Sequence, residues 1–241
     1  MRFSTFLFVV FFGSRLAATA QNILFGFTGG AGISGIAKTH NVGVAFEQRS
    51  VAADFFAGIA ADIKIGNDFA FRPQLYFEKK GWSGSYNNLT INLRPVQPYF
   101  AIGDSILNSD RAQMNYIKLP LDLSFSLPQV IDGKVSIDAG PYIAYAISGS
   151  YSSFYGNNTG TSVYNFKANV GSNDSKTGIH FNRFDYGFHL RMGYELNFGL
   201  MIHASYEWGL QNVIQNDLIA GSSATKFRSF LLGFSYMLNN K

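Results

Sequence analysis

The sequence predicts an all-β protein: eight antiparallel strands in up-and-down order, closed into a barrel. Three observations lead there. Apolar and polar residues alternate strictly in one segment after another, which is the two-residue period of a strand and not the 3.6-residue period of a helix. Short connections alternate with long ones along the chain. Finally, the 241 residues are 16% aromatic but only 14% charged, against about 25% charged in an average soluble domain. The 24 Phe and 13 Tyr exclude a solvated, disordered coil. The lack of Cys excludes a disulfide scaffold and a thiolate metal site.

Residues 1–20 read as a secretory signal peptide. Arg2 supplies the positive start, Phe3 to Phe12 the apolar stretch, and Ala18-Thr19-Ala20 a small-residue site with cleavage expected after Ala20. The apolar stretch is too short to cross a bilayer as a helix. Residues 21–241 are then the barrel domain. Removing 1–20 takes away Arg2 and Arg15 but no acid, so the net charge of +4 shrinks. What remains is no sign of nucleic-acid binding, which needs a clustered basic face.

The first strand lies near 23–31. In the second, Phe55, Ala57, Ile59, Ala61 and Ile63 alternate with Asp54, Gly58, Ala60 and Asp62. In the third, Phe69, Phe71, Pro73, Leu75 and Phe77 alternate with Arg72, Gln74, Tyr76 and Glu78. The fourth sets Ile117 to Phe125 against Lys118, Pro120, Asp122 and Ser124, and the fifth sets Val135 to Tyr145 against Ser136, Asp138, Gly140, Tyr142 and Ala144. The clearest stretch is 183–196. There Phe184, Tyr186, Phe188, Leu190, Met192, Tyr194 and Leu196 interleave with Arg183, Asp185, Gly187, His189, Arg191, Gly193 and Glu195. A turn at Asn197-Phe198-Gly199 leads into 200–210, with Ile202, Ala204, Tyr206 and Trp208 on one face and His203, Ser205 and Glu207 on the other. The eighth strand is 227–238. Pro73, Pro120 and Pro141 each lack a ladder donor, and a closed barrel has no edge to hold them, so they predict bulges.

The connections near 66–68, 128–133 and 197–199 are short. Those at 32–51, 82–112, 149–181 and 212–225 are long and rich in Ser, Asn, Gly and Thr. Their alternation places every long loop at one end of the barrel and both termini at the other. A soluble barrel would turn its apolar face inward. Two features favour instead an eight-stranded antiparallel up-and-down transmembrane β-barrel. The polar face is full of Gly, Ala and Ser, as a narrow eight-strand interior requires. Aromatics on the apolar face gather at the strand ends. Phe55, Phe77, Tyr145, Phe184, Tyr186, Tyr206 and Trp208 lie toward the long-loop end; Phe69, Phe71, Tyr194, Phe234 and Tyr236 lie toward the other. Two such girdles are what lipid headgroups select, and the expected location is the bacterial outer membrane, in contact with its lipid.

The stretch Phe71-Arg72-Pro73-Gln74-Leu75-Tyr76-Phe77-Glu78-Lys79-Lys80-Gly81 resembles the third strand of the PorT-like outer-membrane β-barrel family of Bacteroidota. Tyr116-Ile117-Lys118-Leu119-Pro120-Leu121, Ala139-Gly140-Pro141-Tyr142, and Gly193-Tyr194-Glu195-Leu196 through Tyr206-Glu207-Trp208-Gly209-Leu210 are similar to its later strands. Gln74 and Lys118 stand where the family often shows Glu. The resemblance implies a barrel with no assigned catalytic activity. Through a few of its members it also implies an alternative, a component of a type IX secretion or gliding apparatus.

Candidate chemistry is sparse. The charges expected to face the lumen are Asp54, Asp62, Arg72, Glu78, Lys118, Asp122, Asp138, Arg183, Asp185, Arg191, Glu195 and Glu207, joined by His189 and His203. A salt-bridged filling of a small barrel explains them better than an ion path. The four His show no metal-ligand spacing, and no glycine stretch opens a helix as a phosphate cradle would. No cofactor, metal or catalytic residue is therefore expected. One alternative is enzymatic: His203 and Ser205, with Glu207 beyond, resemble the His-x-Ser of outer-membrane lipid A deacylases, a base within reach of a hydroxyl. Yet three alternating polar residues are also the ordinary look of a lumen face. The expected role is structural, adhesive or in assembly. It is exerted through loops 32–51, 82–112, 149–181 and 212–225 toward a protein or surface partner, with no nucleic acid involved.

Overall fold

The computed structural model describes residues 23–39, 47–88, 106–127, 133–155, 158–166, 181–213 and 224–238. The expected signal peptide at 1–20 and much of the expected long loops lie outside the described residues. Among those described, the strands are β1 (Ile23–Thr39), β2 (Glu47–Lys64), β3 (Phe69–Asn88), β4 (Ile106–Ser126), β5 (Gly133–Tyr155), β6 (Asn158–Phe166), β7 (Phe184–Leu196), β8 (Leu200–Gly209) and β9 (Ala224–Leu238). Eight of them form a ring in the order β4-β3-β2-β1-β9-β8-β7-β5, which the β4–β5 pairing closes. Every ladder is antiparallel, and the seam between the first and last strands runs from Phe25↔Leu238 to Thr39↔Ala224.

The ninth strand, β6, is not part of the ring. It pairs with the upper part of β5, from Gly149↔Phe166 to Tyr155↔Asn158, inside what the sequence reads as the loop 149–181. The other long loops are also shorter than expected: 32–39, 47–51, 82–88 and 106–112 are strand. The reason is that none of these extensions alternates apolar with polar residues in sequence. A ladder of backbone hydrogen bonds needs no alternation of hydropathy once the strand leaves the region where one face is apolar. The barrel is therefore lopsided. β8, with 10 residues, reaches ~33 Å at about 3.3 Å per residue, which tilted by ~40° just crosses an apolar band of ~25 Å. β3, with 20 residues, reaches ~66 Å on the same scale and stands well clear of the band.

The prolines do not shift the register. Residue pairing keeps one frame across Pro73, Pro120 and Pro141. Each proline instead opens a two-pair gap in the ladder to the preceding strand: Pro73 toward β2, Pro120 toward β3, Pro141 toward β4. A missing N–H affects one side of a strand only, so the ladder on the other side holds the frame. The bulges fall elsewhere, between Val51 and Phe55, at Asn115/Tyr116 and between Ser153 and Tyr155. In the β7–β8 turn Gly199 takes φ +90°, a left-handed conformation that strains any residue with a Cβ.

Facing follows the alternation. Along β7, Phe184, Tyr186, Phe188, Leu190 and Met192 are exposed while Asp185, His189 and Arg191 are buried. The outer wall is apolar and the interior polar, the reverse of a water-soluble barrel. On that outer wall aromatics pair across strands, Phe55 with Phe77 (ring centroids 5.9 Å apart), Phe69 with Phe125 (5.1 Å) and Tyr145 with Phe184 (5.1 Å), and along β8 Tyr206 packs on Trp208 (4.9 Å). Phe234 and Tyr236 are exposed near the short-turn end, and Phe71 and Tyr194 are half-buried there. The interior accommodates large side chains over small ones. The Phe56 ring lies over β1 and β9, where a Cβ on Gly30 or Gly233 would come within 2.8 Å of it. Gly193 is likewise walled in, its would-be Cβ 2.7 Å from Met201 Sδ.

The assignment of faces is testable at Leu190, exposed midway along β7. Leu190→Arg places a cation in the middle of the apolar band and is expected to cost about 2–4 kcal/mol in reversible denaturant unfolding from lipid vesicles. A loss near zero would mean that this face does not meet lipid.

Candidate functional site

The buried polar side chains of the lumen stack in two connected layers beneath an aromatic roof. In the layer nearer the short turns, Arg72 of β3 is the hub. Its Nε donates to Asp62 Oδ2 (2.8 Å), its Nη1 to Asp138 Oδ1 (3.3 Å) and Ser136 Oγ (3.2 Å), and its Nη2 to Glu195 Oε2 (3.0 Å). Asp138 also receives Arg191 through Nε (2.6 Å), and Arg191 Nη1 donates to Gln74 Oε1 (3.0 Å). Gln74 Nε2 passes the chain to Asp122 Oδ2 (3.2 Å), which His189 Nδ1 meets at 2.8 Å. At the rim, Lys134 Nζ lies 3.3 Å from Glu195 Oε1.

In the upper layer two lysines sit among three acids. Lys118 Nζ pairs with Glu78 (3.1 Å) and Glu207. Lys80 Nζ pairs with Asp185 (2.7 Å) and lies 3.6 Å from Glu78. Tyr76 donates its hydroxyl to Glu207 (3.4 Å) and Tyr142 to Asp185 (3.3 Å). Both ammonium groups also lie over rings: Lys118 is 4.1 Å from the Tyr142 centroid, and Lys80 is 4.8 Å from that of Phe227 and 4.9 Å from that of Tyr116. Such contacts strengthen when desolvated. Asp54, across the β2–β3 ladder from this layer, is 2% exposed, and neither carboxylate oxygen accepts a hydrogen bond from protein. Above lies the roof of Trp82, Met114, Tyr116, Tyr151, Val213 and Phe227. Phe181 joins it, 6.2 Å from Trp82 and 5.6 Å from Tyr151 between ring centroids.

Most residues expected to face the lumen are brought together in these layers. Arg183 is not. It precedes β7 at the mouth of the barrel, and its Nη1 donates to the Tyr145 hydroxyl (3.1 Å) near the exposed rim. Glu195 sits at the opposite rim and is half-buried. His203 turns Nε2 to Ser235 Oγ (3.2 Å). With Glu207 held by Lys118 and Tyr76, the three polar residues of β8 point into the same interior without linking as base, nucleophile and carboxylate. Lys80 was missed from the sequence, although it stands two residues beyond Glu78 and so shares its face; carrying the β3 alternation one step further would have found it. Gln74, Tyr76 and Tyr142 were read on the inner face but not as members of the network. Among the described residues no three His, Asp or Glu side chains converge as a metal site requires.

A closed ring of eight antiparallel strands with an apolar exterior and an ion-paired interior defines a transmembrane β-barrel. A family model described as outer membrane protein beta-barrel domain matches residues 19–215. The chain belongs to that family, and its place is the bacterial outer membrane. No curated protein sequence matches it. Among solved structures it is similar to the Yersinia pestis attachment invasion locus protein Ail, crystallised with sucrose octasulfate, at 12% identity and a TM-score of 0.39 over 90% of this chain and 99% of that one. It is also similar to OprG of Pseudomonas aeruginosa (10%, TM-score 0.39, over 90% and 94%) and to the outer membrane protease OmpT of Escherichia coli (11%, TM-score 0.40, over 91% and 98%).

Removing one member of a buried ion pair strands the other. Lys118→Met, which leaves Glu207 without its closest cation, is expected to cost about 3–5 kcal/mol. Adding Glu207→Gln removes the stranded charge and is expected to recover a large part of that loss, read from denaturation midpoints of the two variants in the same lipid.

Proposed function

We propose that the protein acts without catalysis, in adhesion or envelope assembly, by presenting its long-loop end to a protein or surface partner. One observation carries this reading: β2 to β6 continue as paired strands well beyond the apolar band, while the lumen beneath them is filled. In outer-membrane barrels the long loops face outward from the cell. A raised, ladder-stiffened platform is there the part of the chain that a partner can reach. Rigid elements present a binding surface at lower entropic cost than free loops do. The resemblance of the strand motifs to the PorT-like family of Bacteroidota makes a secretion or gliding assembly the natural alternative setting for the same surface.

Crosslinking of intact cells followed by mass spectrometry tests the reading. Crosslinked partners are expected to attach at β5, β6 and the neighbouring connections. Replacing 156–180 by a short Gly/Ser linker is expected to abolish them while leaving the heat-dependent gel shift of the folded barrel intact. Partners that survive the replacement would overturn a role for this platform.

Lipid A hydrolysis is disfavoured by the frame of β8. Ile202 and Trp208 face lipid, and a one-residue slip would turn them inward while exposing His203, Ser205 and Glu207 to hydrocarbon. Stranding polar groups there costs several kcal/mol. Ser205→Ala is expected to leave the mass spectrum of lipid A unchanged in cells expressing the protein; loss of an acyl chain with the wild type alone would make the protein an enzyme.

A further inference from the structure

Among the described residues, the wall of the barrel parts between β1 and β2. β1 and β2 pair from Ile23↔Ile63 up to Ser34↔Ala52. Beyond that point, among the described residues, β1 continues to Thr39 against β9 and β2 continues to Glu47 against β3, past the bulge between Val51 and Phe55. The two strands diverge, and a cavity of about 310 Å3 lies at the divergence, at the lower end of the roughly 300–1,000 Å3 of small-ligand sites. Its lining belongs to both sides of the wall. Val51, Tyr206 and Phe230 are on the lipid-facing side, whereas Trp82, Ser34 and Ser229 are on the lumen side. The cavity is thus a passage into the wall from its lipid-facing side, and its lumen side is bridged by Ser34, whose Oγ donates to Gly81 O (3.0 Å) and accepts from Gly81 N (2.8 Å). Gly35 borders it with room to spare: a Cβ there would meet Val51 Cγ1 at 3.5 Å, an ordinary contact.

The passage is mostly apolar; besides Ser34 and Ser83, two polar groups line it. Ser229 Oγ is buried and makes no hydrogen bond to protein. Arg228 stands at the outer mouth, its Nη1 anchored to the carbonyl oxygens of Gly209 and Phe227, both at 2.7 Å. Among the described residues no carboxylate pairs with it. On β9 it is the first polar outward position above Phe230, Leu232 and Phe234, hence at headgroup height. Lys79, Arg183 and Lys226 also sit at this edge of the apolar band. Among the side chains described, no acid faces outward with them. Such a cationic rim attracts anionic headgroups.

We infer that the seam between β1 and β2 binds one acyl chain of an anionic outer-leaflet lipid, with the chain entering toward Trp82 and the headgroup held at Arg228. A slot whose outer side is lined by Ile33, Val51, Tyr206 and Phe230 is filled favourably by hydrocarbon, and a cation at its mouth, without an acidic partner, selects the charge of the head.

The two tryptophans make the test. Trp82 is 2% exposed inside the seam and Trp208 is 50% exposed on the outer wall. Trp208→Phe leaves Trp82 as the sole emitter, and Trp82→Phe leaves Trp208. Each variant is folded into vesicles of phosphatidylglycerol with brominated acyl chains, a contact quencher of tryptophan. Trp208 is expected to lose most of its emission in any brominated lipid, which verifies insertion. Trp82 is expected to lose most of its emission as well. Adding Gly35→Leu, which fills the passage, is expected to restore it. Arg228→Gln is expected to remove the preference for brominated phosphatidylglycerol over brominated phosphatidylcholine in mixed vesicles. Trp82 emission that persists while Trp208 is quenched would overturn the proposal. So would quenching that Gly35→Leu leaves unchanged, since that would be quenching across an intact wall. If Trp208→Phe fails to insert, the same comparison of Gly35→Leu in the otherwise unchanged protein still decides, through the share of emission that Gly35→Leu restores.

Discussion

Arg72 ties the barrel together across its lumen, where backbone ladders cannot reach. A ladder joins a strand only to its two neighbours, and β3 has β2 and β4. Through one guanidinium, β3 is also joined to β5 and β7, by Asp138 and Glu195, besides Asp62 on β2. Withdrawing such a cation from water costs several kcal/mol, recovered only if its partners stand in the right places. That condition fixes the relative height of four strands. The lysine layer repeats the device: Lys118 and Lys80 bind carboxylates from β3, β7 and β8. Register, which alternation alone protects against a one-residue slip but not a two-residue one, is thereby set from the inside as well as by the apolar band outside.

A lumen so filled determines where function can lie. Two ion-paired layers and the aromatic roof occupy the space that a larger barrel would leave to water. Groups that look reactive in isolation, His203 and Ser205 above all, are buried within a structural filling. In the reading proposed above, what the molecule offers to others is its outer wall, its raised long-loop end and the parting of β1 from β2. The lopsided height of the strands and that parting have one cause. β1 follows the shorter strands β7 to β9, β2 follows the taller β3 to β5, and their shared ladder ends where the two sets diverge.

The class of the protein was legible in its sequence. A strand has two faces, and when one meets hydrocarbon and the other a polar interior, every second residue reports its side. The frame of β7 and β8, the facing of Leu190 and Trp208, and the inward set around Arg72, Asp138 and Glu207 all follow from that rule. Legibility failed where the rule lapses. In the upper parts of β3 to β6 the apolar–polar alternation lapses, so strands read as loops. At Pro73, Pro120 and Pro141 the residue type suggested bulges, but only one ladder of two is interrupted and the frame survives. Arg183 followed the alternation yet lies past the end of the wall, where the side chain bends to Tyr145.

The sequence by itself determined that the chain forms strands, which face of each is wet and which is oily, and that the ends carrying the long connections lie together. These are local consequences of period and composition. Only the tertiary structure decided which charge meets which, that Lys80 shares the layer of Lys118, and that β1 and β2 part above Ser34. Such facts depend on the stagger between strands distant in sequence, and stagger is fixed by closing the ring, a constraint that no single strand carries in its own residues.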